Sequence, residues 1–211
     1  MIYFLSLFIF TGCSVTTFQS PKVLKPGDFS FGLGAGGGAT VKKEGWKPMV
    51  PSDVDMYLRF GVAKKVECGL KYYLIRGIQG DIKYQLGERP FKSIGFGASF
   101  CPDIDIGFDS KDIHKYVSFY STFLLGGESF YYGLKNILFW DTKKDSTTTL
   151  YTMTGPLLGY NTTFAHKKWT FFVELNSYFT NLPDSYGGFG DITFGKFALI
   201  GAIAFQYNFW K

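Results

Sequence analysis

The sequence has no run of about twenty apolar residues, the length that a membrane-spanning helix needs. Apolar residues at the spacing of an amphipathic helix are almost absent too. No Pro/Ser-rich linker and no block of charge divides the 211 residues, so we expect one domain after a short leader. Together these absences exclude a helical membrane protein and favour an all-β chain.

Residues that hold metals are scarce, with three cysteines and two histidines in the whole chain. His114 and His166 lie far in sequence from Cys68 and Cys101, and no metal-ligand spacing results. We therefore expect no metal and no cofactor. The net charge of +5 is spread thinly, so the chain has no concentrated basic patch and nucleic acid is not expected as a partner.

Alternation of large apolar residues with small or polar ones is what the sequence does contain. It is clearest in the last stretch, residues 197–210, where a period of two predicts a β-strand with one apolar and one polar face. Aromatic residues make up 20% of the chain, yet its mean hydropathy is only +0.04. That combination is typical of a transmembrane barrel with an apolar exterior and a polar interior.

The alternation predicts an antiparallel up-and-down transmembrane β-barrel of about ten strands between residues 27 and 211. The registers of residues 129–140 and 149–164 stay open, and Pro156 suggests a bulge or kink in the second of these. The predicted strands cover residues 28–39, 53–63, 65–74, 77–86, 91–101, 115–125, 129–140, 149–164, 169–180 and 197–210.

The longer connections between these strands are all odd-numbered, although the odd-numbered connection at Arg76 is short. Long connections are predicted over residues 40–52, 102–114 and 181–195, whereas every even-numbered connection is a tight turn. Outer-membrane barrels place short turns in the periplasm and longer loops outside. The loop lengths therefore favour that topology, which a soluble barrel has no reason to adopt.

Ionisable residues recur on the face predicted to point inward. In the narrow lumen of such a barrel, opposite charges on neighbouring strands would form ion pairs and fill the space; the alternative is a narrow ion-conducting path. Four tyrosines on the same face, at positions 57, 73, 120 and 178, favour the filled lumen. The predicted charge network consists of Asp55, Arg59, Glu67, Lys71, Asp81, Lys83 and Glu174.

The front end has the character of an export signal. Residues 1–12 are largely apolar and too short to span a membrane as a helix. Phe10, Thr11, Gly12 and Cys13 resemble the lipobox of bacterial lipoproteins, which implies acylation of Cys13; a plain signal peptide with an incidental cysteine is the equal alternative. Residues 13–26 form an N-terminal segment before the barrel.

The alternating strands, the leader and the final aromatic segment together resemble the small bacterial outer-membrane β-barrel proteins. Phe205, Tyr207, Phe209 and Trp210 resemble the C-terminal signal that the barrel-assembly machinery recognises. The resemblance implies residence in the outer membrane of a Gram-negative cell envelope, contact with outer-membrane lipid and insertion by that machinery. It is architectural and names no extracellular partner.

No enzymatic activity is expected. A pair of His114 with a nearby aspartate, or with Ser118, would be the only candidate for catalysis, and a solvated loop histidine is the simpler interpretation. The preferred function is a structural or surface-interaction role through the outer loops. Two alternatives stay open: a narrow, porin-like channel, and a soluble lipocalin-like barrel that binds an apolar ligand with its faces inverted.

Overall fold

The chain forms a closed antiparallel barrel of ten strands in sequence order. The structure is a computed structural model and describes residues 16–42, 45–73, 77–101, 114–143, 149–180 and 197–209. Among these residues no helix is long and apolar enough to cross a membrane. The strands are β1 (Phe29–Lys42), β2 (Gly45–Ala63), β3 (Val66–Tyr73), β4 (Gly77–Glu88), β5 (Phe91–Cys101), β6 (His114–Gly126), β7 (Phe130–Lys143), β8 (Thr149–Phe164), β9 (Trp169–Thr180) and β10 (Phe197–Phe209).

The barrel closes where β1 pairs with both β2 and β10. Phe31 lies opposite Leu58 on one side and Tyr207 on the other, and the pairing with β10 continues without interruption from Phe29 to Val41. Closure gives every strand two hydrogen-bonded neighbours and leaves no open sheet edge. The predicted all-β, up-and-down barrel of ten antiparallel strands is confirmed.

The two faces of the barrel have opposite chemistry. In β10 the even-numbered Ile200 and Ala202 are buried inside, whereas Ile203 and Phe205 are about half exposed outside. The same alternation holds in β4, where Lys83 is buried and its neighbours Ile82 and Tyr84 are exposed. In all, twenty-eight large apolar side chains of the described residues are at least 39% exposed, and they form an apolar belt around the outside.

The two ends of the barrel differ in their connections. At one end, here called the short-turn end, β2 and β3 are joined by two residues, as are β4 and β5, and the connections after β6 and β8 have three and four residues. β1 begins and β10 ends at this same end. The opposite end carries the connections 102–113 and 181–196, whose structure lies outside the described residues. Every even-numbered connection is therefore tight, as predicted, and the two longest connections lie at the opposite end.

The first hairpin corrects one expectation. A long connection was expected over residues 40–52, but β1 continues to Lys42 and β2 begins at Gly45. The register shifts so that Gly36 pairs with Asp53 and Gly38 with Met49. The extra residues on β2 include Pro51, and a bulge is where a sheet tolerates a residue without an N–H donor.

The second proline-containing strand also differs from expectation. Pro156 lies inside β8, paired with Leu134 of β7. On the β9 side, Thr154 pairs with Phe179 and Leu157 with Asn176, which is the same register before and after the proline. The expected bulge is absent there. The ladder instead lacks the pairings of Gly155 and Pro156 with β9, which fits a proline that has no N–H to donate.

Three inward-facing glycines each lie opposite a tyrosine on a neighbouring strand. Gly32 pairs with Tyr57, Gly97 with Tyr120 and Gly159 with Tyr131. A Cβ at any of these glycines would lie within 2.4 Å of the tyrosine ring, so each ring covers the backbone of its partner. Glycine here makes room in a narrow lumen for large side chains, as its position in the alternation predicts.

Aromatic rings on the outside form a continuous row across the closing strands at the short-turn end. Phe29 packs against Phe60 of β2 and Phe209 of β10, with both centroid distances 4.9 Å. Tyr207 contacts Phe209 at 4.7 Å and Trp169 of β9 at 5.0 Å, both edge to face. Amphipathic aromatic rings are enriched where a bilayer meets water, so this row has the composition of a membrane-interface girdle.

Candidate functional site

A segment of the chain that precedes β1 lies inside the barrel. Residues 16–26, here called the inner segment, run from Thr16 within the lumen to the short-turn end, where the chain turns into β1. Thr16, Thr17, Phe18 and Gln19 are all buried. The lumen is thus filled by a length of polypeptide as well as by side chains of the strands.

Glu174 and two lysines hold the buried end of the inner segment by its backbone. The two carboxylate oxygens of Glu174 accept hydrogen bonds from the Thr17 and Phe18 N–H groups, at 2.7 and 2.8 Å. Lys71 and Lys135 donate from Nζ to the carbonyl oxygen of Thr16, at 3.0 and 3.2 Å. Bonds to ionised groups are the stronger class of hydrogen bond, so this end is firmly anchored.

The other half of the inner segment is bound in the same way. Lys83 donates from Nζ to the carbonyl oxygen of Ser20 at 3.0 Å. Gln85 accepts from the Val23 N–H at 3.0 Å, and Glu67 accepts from the Leu24 N–H at 2.8 Å. Inward side chains of two neighbouring strands, β3 and β4, therefore satisfy a backbone that has no sheet partner of its own.

Phe18 anchors the inner segment through its side chain. Its ring stacks on Tyr57 with centroids 5.9 Å apart, and it packs in a buried cluster with Phe172 and Ala204. Gly34 supplies the space, because a Cβ there would lie 2.4 Å from the Phe18 ring. Phe18 has a φ of +46°, a left-handed backbone conformation that bulky residues seldom adopt.

A network of four charged side chains lies beside the inner segment. Arg59 pairs through Nε with Glu67 and through its Nη atoms with Asp81, and Lys83 Nζ lies 3.0 Å from Glu67. All four side chains are at most 5% exposed. Arg59 reaches Asp81 across the intervening strand because that strand has Gly69 at the crossing point, where a Cβ would lie 2.7 Å from both groups.

Further charged residues surround the buried end of the inner segment. Lys71 Nζ lies 3.2 Å from Asp55, whose Oδ2 also accepts from the hydroxyl of Thr16 at 3.0 Å. Lys135 Nζ lies 5.0 Å from the centroid of the Tyr120 ring. In the described lumen, the cations Arg59, Lys71, Lys83 and Lys135 thus face an equal number of anions, Asp55, Glu67, Asp81 and Glu174.

The residues singled out from the sequence fall into three groups. The seven members of the predicted charge network all lie in the lumen, and all of them contact either the inner segment or one another. Phe205, Tyr207 and Phe209 point outward at the short-turn end. Residues 1–12, Cys13 and Trp210 lie outside the described residues.

In the described part of the chain, no contact supports a catalytic pair of His114 with an aspartate or with Ser118. Ser118 points into the lumen, where its Oγ lies 2.7 Å from that of Ser99. The side chain of His114 and the aspartates of residues 103–112 lie outside the part of the chain that the structure describes. Among the described residues, no group of three or more His, Cys, Asp or Glu side chains could hold a metal ion.

Two parts of the site were not predicted from the sequence. The inner segment lacks alternation, so nothing in residues 16–26 signals that it lies inside a barrel. Lys135 lies on β7, where Tyr131 and Ile137 face inward while Tyr132 and Leu138 face outward. Both faces of that strand are largely apolar, and its neighbouring polar residues Lys135 and Asn136 lie on opposite faces, so the alternation left its orientation open.

Replacing Gly34 by alanine tests the fit of Phe18. The added Cβ overlaps the Phe18 ring, so we expect a loss of about 1–3 kcal/mol in the free energy of unfolding. A urea titration in detergent micelles, followed by tryptophan fluorescence, measures it. Combining Gly34→Ala with Phe18→Leu should recover part of the loss; a double variant whose losses simply add would contradict the contact.

A cavity of about 410 Å³ opens at the short-turn end, between the inner segment and β8 to β10. Its lining includes Lys22, Asp28, Asn161, His166 and Asn208. At its mouth Lys22 Nζ forms a 2.6 Å ion pair with Glu128, in the turn before β7. This hydrogen bond, followed by the positive charge of Lys22, lowers the pKa of the Glu128 carboxyl below its ordinary value.

The exposed pair of Lys22 and Glu128 should contribute little to stability. Glu128→Gln is expected to change the free energy of unfolding by less than about 1 kcal/mol at pH 7, because both side chains are solvated. The folded pKa is the lower one, so the contribution is present above the unfolded pKa of about 4 and disappears as the pH falls through the folded value. Urea titrations at pH 7 and pH 3 check both statements.

No protein-family model and no curated protein matches the chain. Among solved structures, the translocator domain of the autotransporter NalP from Neisseria meningitidis matches with a TM-score of 0.42 and 11% sequence identity. The match covers 88% of this chain and 90% of that domain. A similarity this weak supports no argument about function, which therefore rests on the geometry of the barrel itself.

Proposed function

We propose that the chain is an integral outer-membrane β-barrel with a closed lumen, and that it serves a structural or surface-interaction role through its outer loops without enzymatic activity. The observation that carries this proposal is the inversion of the barrel: charged side chains are buried inside it, and the apolar belt lies outside. A water-soluble barrel needs the opposite arrangement. Lipid is the solvent that this outer surface suits.

The size of the apolar belt favours membrane over water. Soluble monomers rarely expose a contiguous apolar patch beyond a few hundred Å². Here twenty-eight large apolar side chains encircle the barrel, and the row of rings from Phe60 to Trp169 lies along one rim. Each would lose roughly 25 cal/mol per Å² of stabilisation if left in water instead of hydrocarbon.

The lipocalin-like alternative loses support from the contents of the lumen. A soluble barrel that binds an apolar ligand needs an empty, apolar interior. This interior holds eight buried charged groups and the inner segment. The porin-like alternative is also less favoured, because the inner segment and the tyrosines of the strands occupy the path that ions would take.

The ends of the barrel suggest its orientation. The short turns, the start of β1 and the end of β10 lie at the girdled rim, which we assign to the periplasmic side. Phe205, Tyr207 and Phe209 lie outward on the last strand at this rim, where the barrel-assembly machinery would bind them. Outer-membrane lipid and that machinery are the proposed partners.

Cell fractionation tests the location, and conductance tests the closed state. We expect the protein in the outer-membrane fraction, with migration on a gel that shifts when the sample is heated, as for a detergent-resistant barrel. In planar bilayers we expect no steady conductance. A water-soluble monomer would overturn the membrane assignment, and regular open-channel steps from the intact chain would overturn the closed lumen.

A further inference from the structure

We propose that the lumen is a peptide-binding site, that the inner segment occupies it in cis, and that a separate peptide can take its place. The ligand class is a short peptide that presents two successive backbone N–H groups around an aromatic residue in a left-handed conformation. This proposal adds a ligand to the proposed function. It can be tested independently, because peptide binding to the barrel can be measured in detergent whatever membrane the barrel occupies.

Recognition of the inner segment is directed mainly at its backbone. Glu174, Glu67 and Gln85 accept from its N–H groups, and Lys71, Lys83 and Lys135 donate to its carbonyl oxygens. Every peptide carries these same backbone groups. A site that binds backbone atoms through six inward side chains tolerates more than one sequence, as in other complexes held together by main-chain hydrogen bonds.

The left-handed residue gives the site its selectivity. Successive N–H groups that point to one side of such a turn form a concave anion site, and here Thr17 and Phe18 enclose the carboxylate of Glu174. Glu174 is only 1% exposed, so its charge is stabilised chiefly by this arrangement and by Asn176, which donates to it at 2.7 Å. Removal of the peptide would leave the carboxylate of Glu174 without the N–H donors of Thr17 and Phe18.

Side-chain selectivity is confined to the buried end. The Phe18 ring fits between Tyr57 and the space at Gly34. Gly36 leaves similar room for Thr16, whose Cγ2 would be 3.0 Å from an added Cβ. Gln19, directly after Phe18, is also buried, and its side chain contacts Asp81. Towards the short-turn end, Lys22 and Lys25 are exposed, and apart from the solvated ion pair of Lys22 with Glu128 their side chains are not selected. The expected ligand therefore has an aromatic residue preceded by small ones and followed by a polar residue such as glutamine, with little restriction on the exposed positions beyond.

A cleavable form of the full chain tests the proposal. A specific protease site is inserted after Pro26, which is exposed, and the barrel is cut after folding. The released fragment is washed out in mild urea, and binding of a fluorescent peptide of sequence TTFQSPKVLKP, residues 16–26, is followed by anisotropy. Heat-shifted gel migration verifies that the emptied barrel is still folded.

Three modified peptides separate the proposal from non-specific binding. An ester in place of the Phe18 N–H removes one donor to Glu174, and we expect about 10- to 100-fold weaker binding. The matched control, an ester at the exposed Lys22, should bind as the parent does. D-Phe at position 18 keeps the positive φ but directs its ring away from Tyr57 and the space at Gly34, so it should bind at least about 10-fold more weakly.

Equal binding of all these peptides, or equal binding of a scrambled sequence, would overturn the proposal. The proposal is also wrong if the folded, emptied barrel binds no peptide, or if excess peptide does not displace the cut fragment. Should the emptied barrel unfold, hydrogen exchange on the intact chain decides. Glu174→Gln should then speed exchange of the Thr17 and Phe18 amides, each bonded to Glu174, far more than that of Val23. Unchanged exchange at both amides would contradict the anchoring role of Glu174.

Discussion

Replacing Arg59 by methionine should lower the free energy of unfolding by about 3–5 kcal/mol, the cost of removing one partner from a buried ion pair. Methionine fills similar space but leaves Asp81 without its guanidinium partner. Glu67 keeps Lys83 as a partner at 3.0 Å, so the loss should come mainly from Asp81. Urea titration of the folded barrel in detergent micelles measures the change.

A double variant shows whether the unpaired charge of Asp81 causes the loss of stability in Arg59→Met. Adding Asp81→Asn to Arg59→Met removes that charge and should recover a substantial part of the loss. The single variant Asp81→Asn should be milder than Arg59→Met, because Arg59 keeps Glu67. If the double variant is less stable than Arg59→Met alone, Arg59 and Asp81 are not coupled as the geometry indicates.

Replacing Gly61 by alanine should displace the end of the inner segment. The new Cβ would lie 1.9 Å from the carbonyl oxygen of Lys25 and 2.6 Å from its carbonyl carbon, and backbone atoms cannot rotate away as a side chain can. Gly61 also exchanges hydrogen bonds with Gly27 and Asp28, which set the entry of the chain into β1. We expect a loss of about 3 kcal/mol in the free energy of unfolding, at the upper end for overpacking.

Hydrogen exchange localises this effect. The amides of Val23 and Leu24 should exchange faster in Gly61→Ala, since their acceptors Gln85 and Glu67 stay on the barrel while the segment moves. Gly80→Ala is the matched control, because a Cβ at Gly80 meets nothing within 4 Å. Equal effects of the two variants on stability and exchange would mean that the inner segment does not pack against Gly61.

Most of the fold could be predicted from the alternation of side chains along the strands. In β4 and β10 most outward residues are apolar and alternate with buried ones, so strand, face and lumen side chains such as Lys83 follow from a period of two. Strand closure followed from the even strand count and the alternating loop lengths. The register at the first hairpin did not, because Pro48 and Pro51 suggested a loop. In the structure Pro51 lies in the bulge between the pairs Gly36–Asp53 and Gly38–Met49, and Pro48 pairs with Ala39 beyond it.

The contents of the lumen were predictable only in part. Charges on clearly alternating strands, such as Arg59 and Glu174, were identifiable, but the binding partners of Glu174 were not. Its partners are backbone N–H groups of Thr17 and Phe18, and backbone groups leave no trace in a sequence. A segment recognised through its backbone needs no pattern of its own, which is why residues 16–26 looked like a plain connection to the barrel.

The inversion of the barrel is the central claim, and spin labels on the outward positions of β10 test it most directly. Single cysteines are introduced at Gly201, Ile203 and Phe205, labelled, and reconstituted in lipid vesicles, and collisions with oxygen and with a water-soluble nickel complex are compared. The barrel described here predicts high oxygen and low nickel accessibility at all three sites, with the lipid depth changing steadily along the strand. High nickel accessibility at Ile203 and Phe205 would place this face in water and contradict the account.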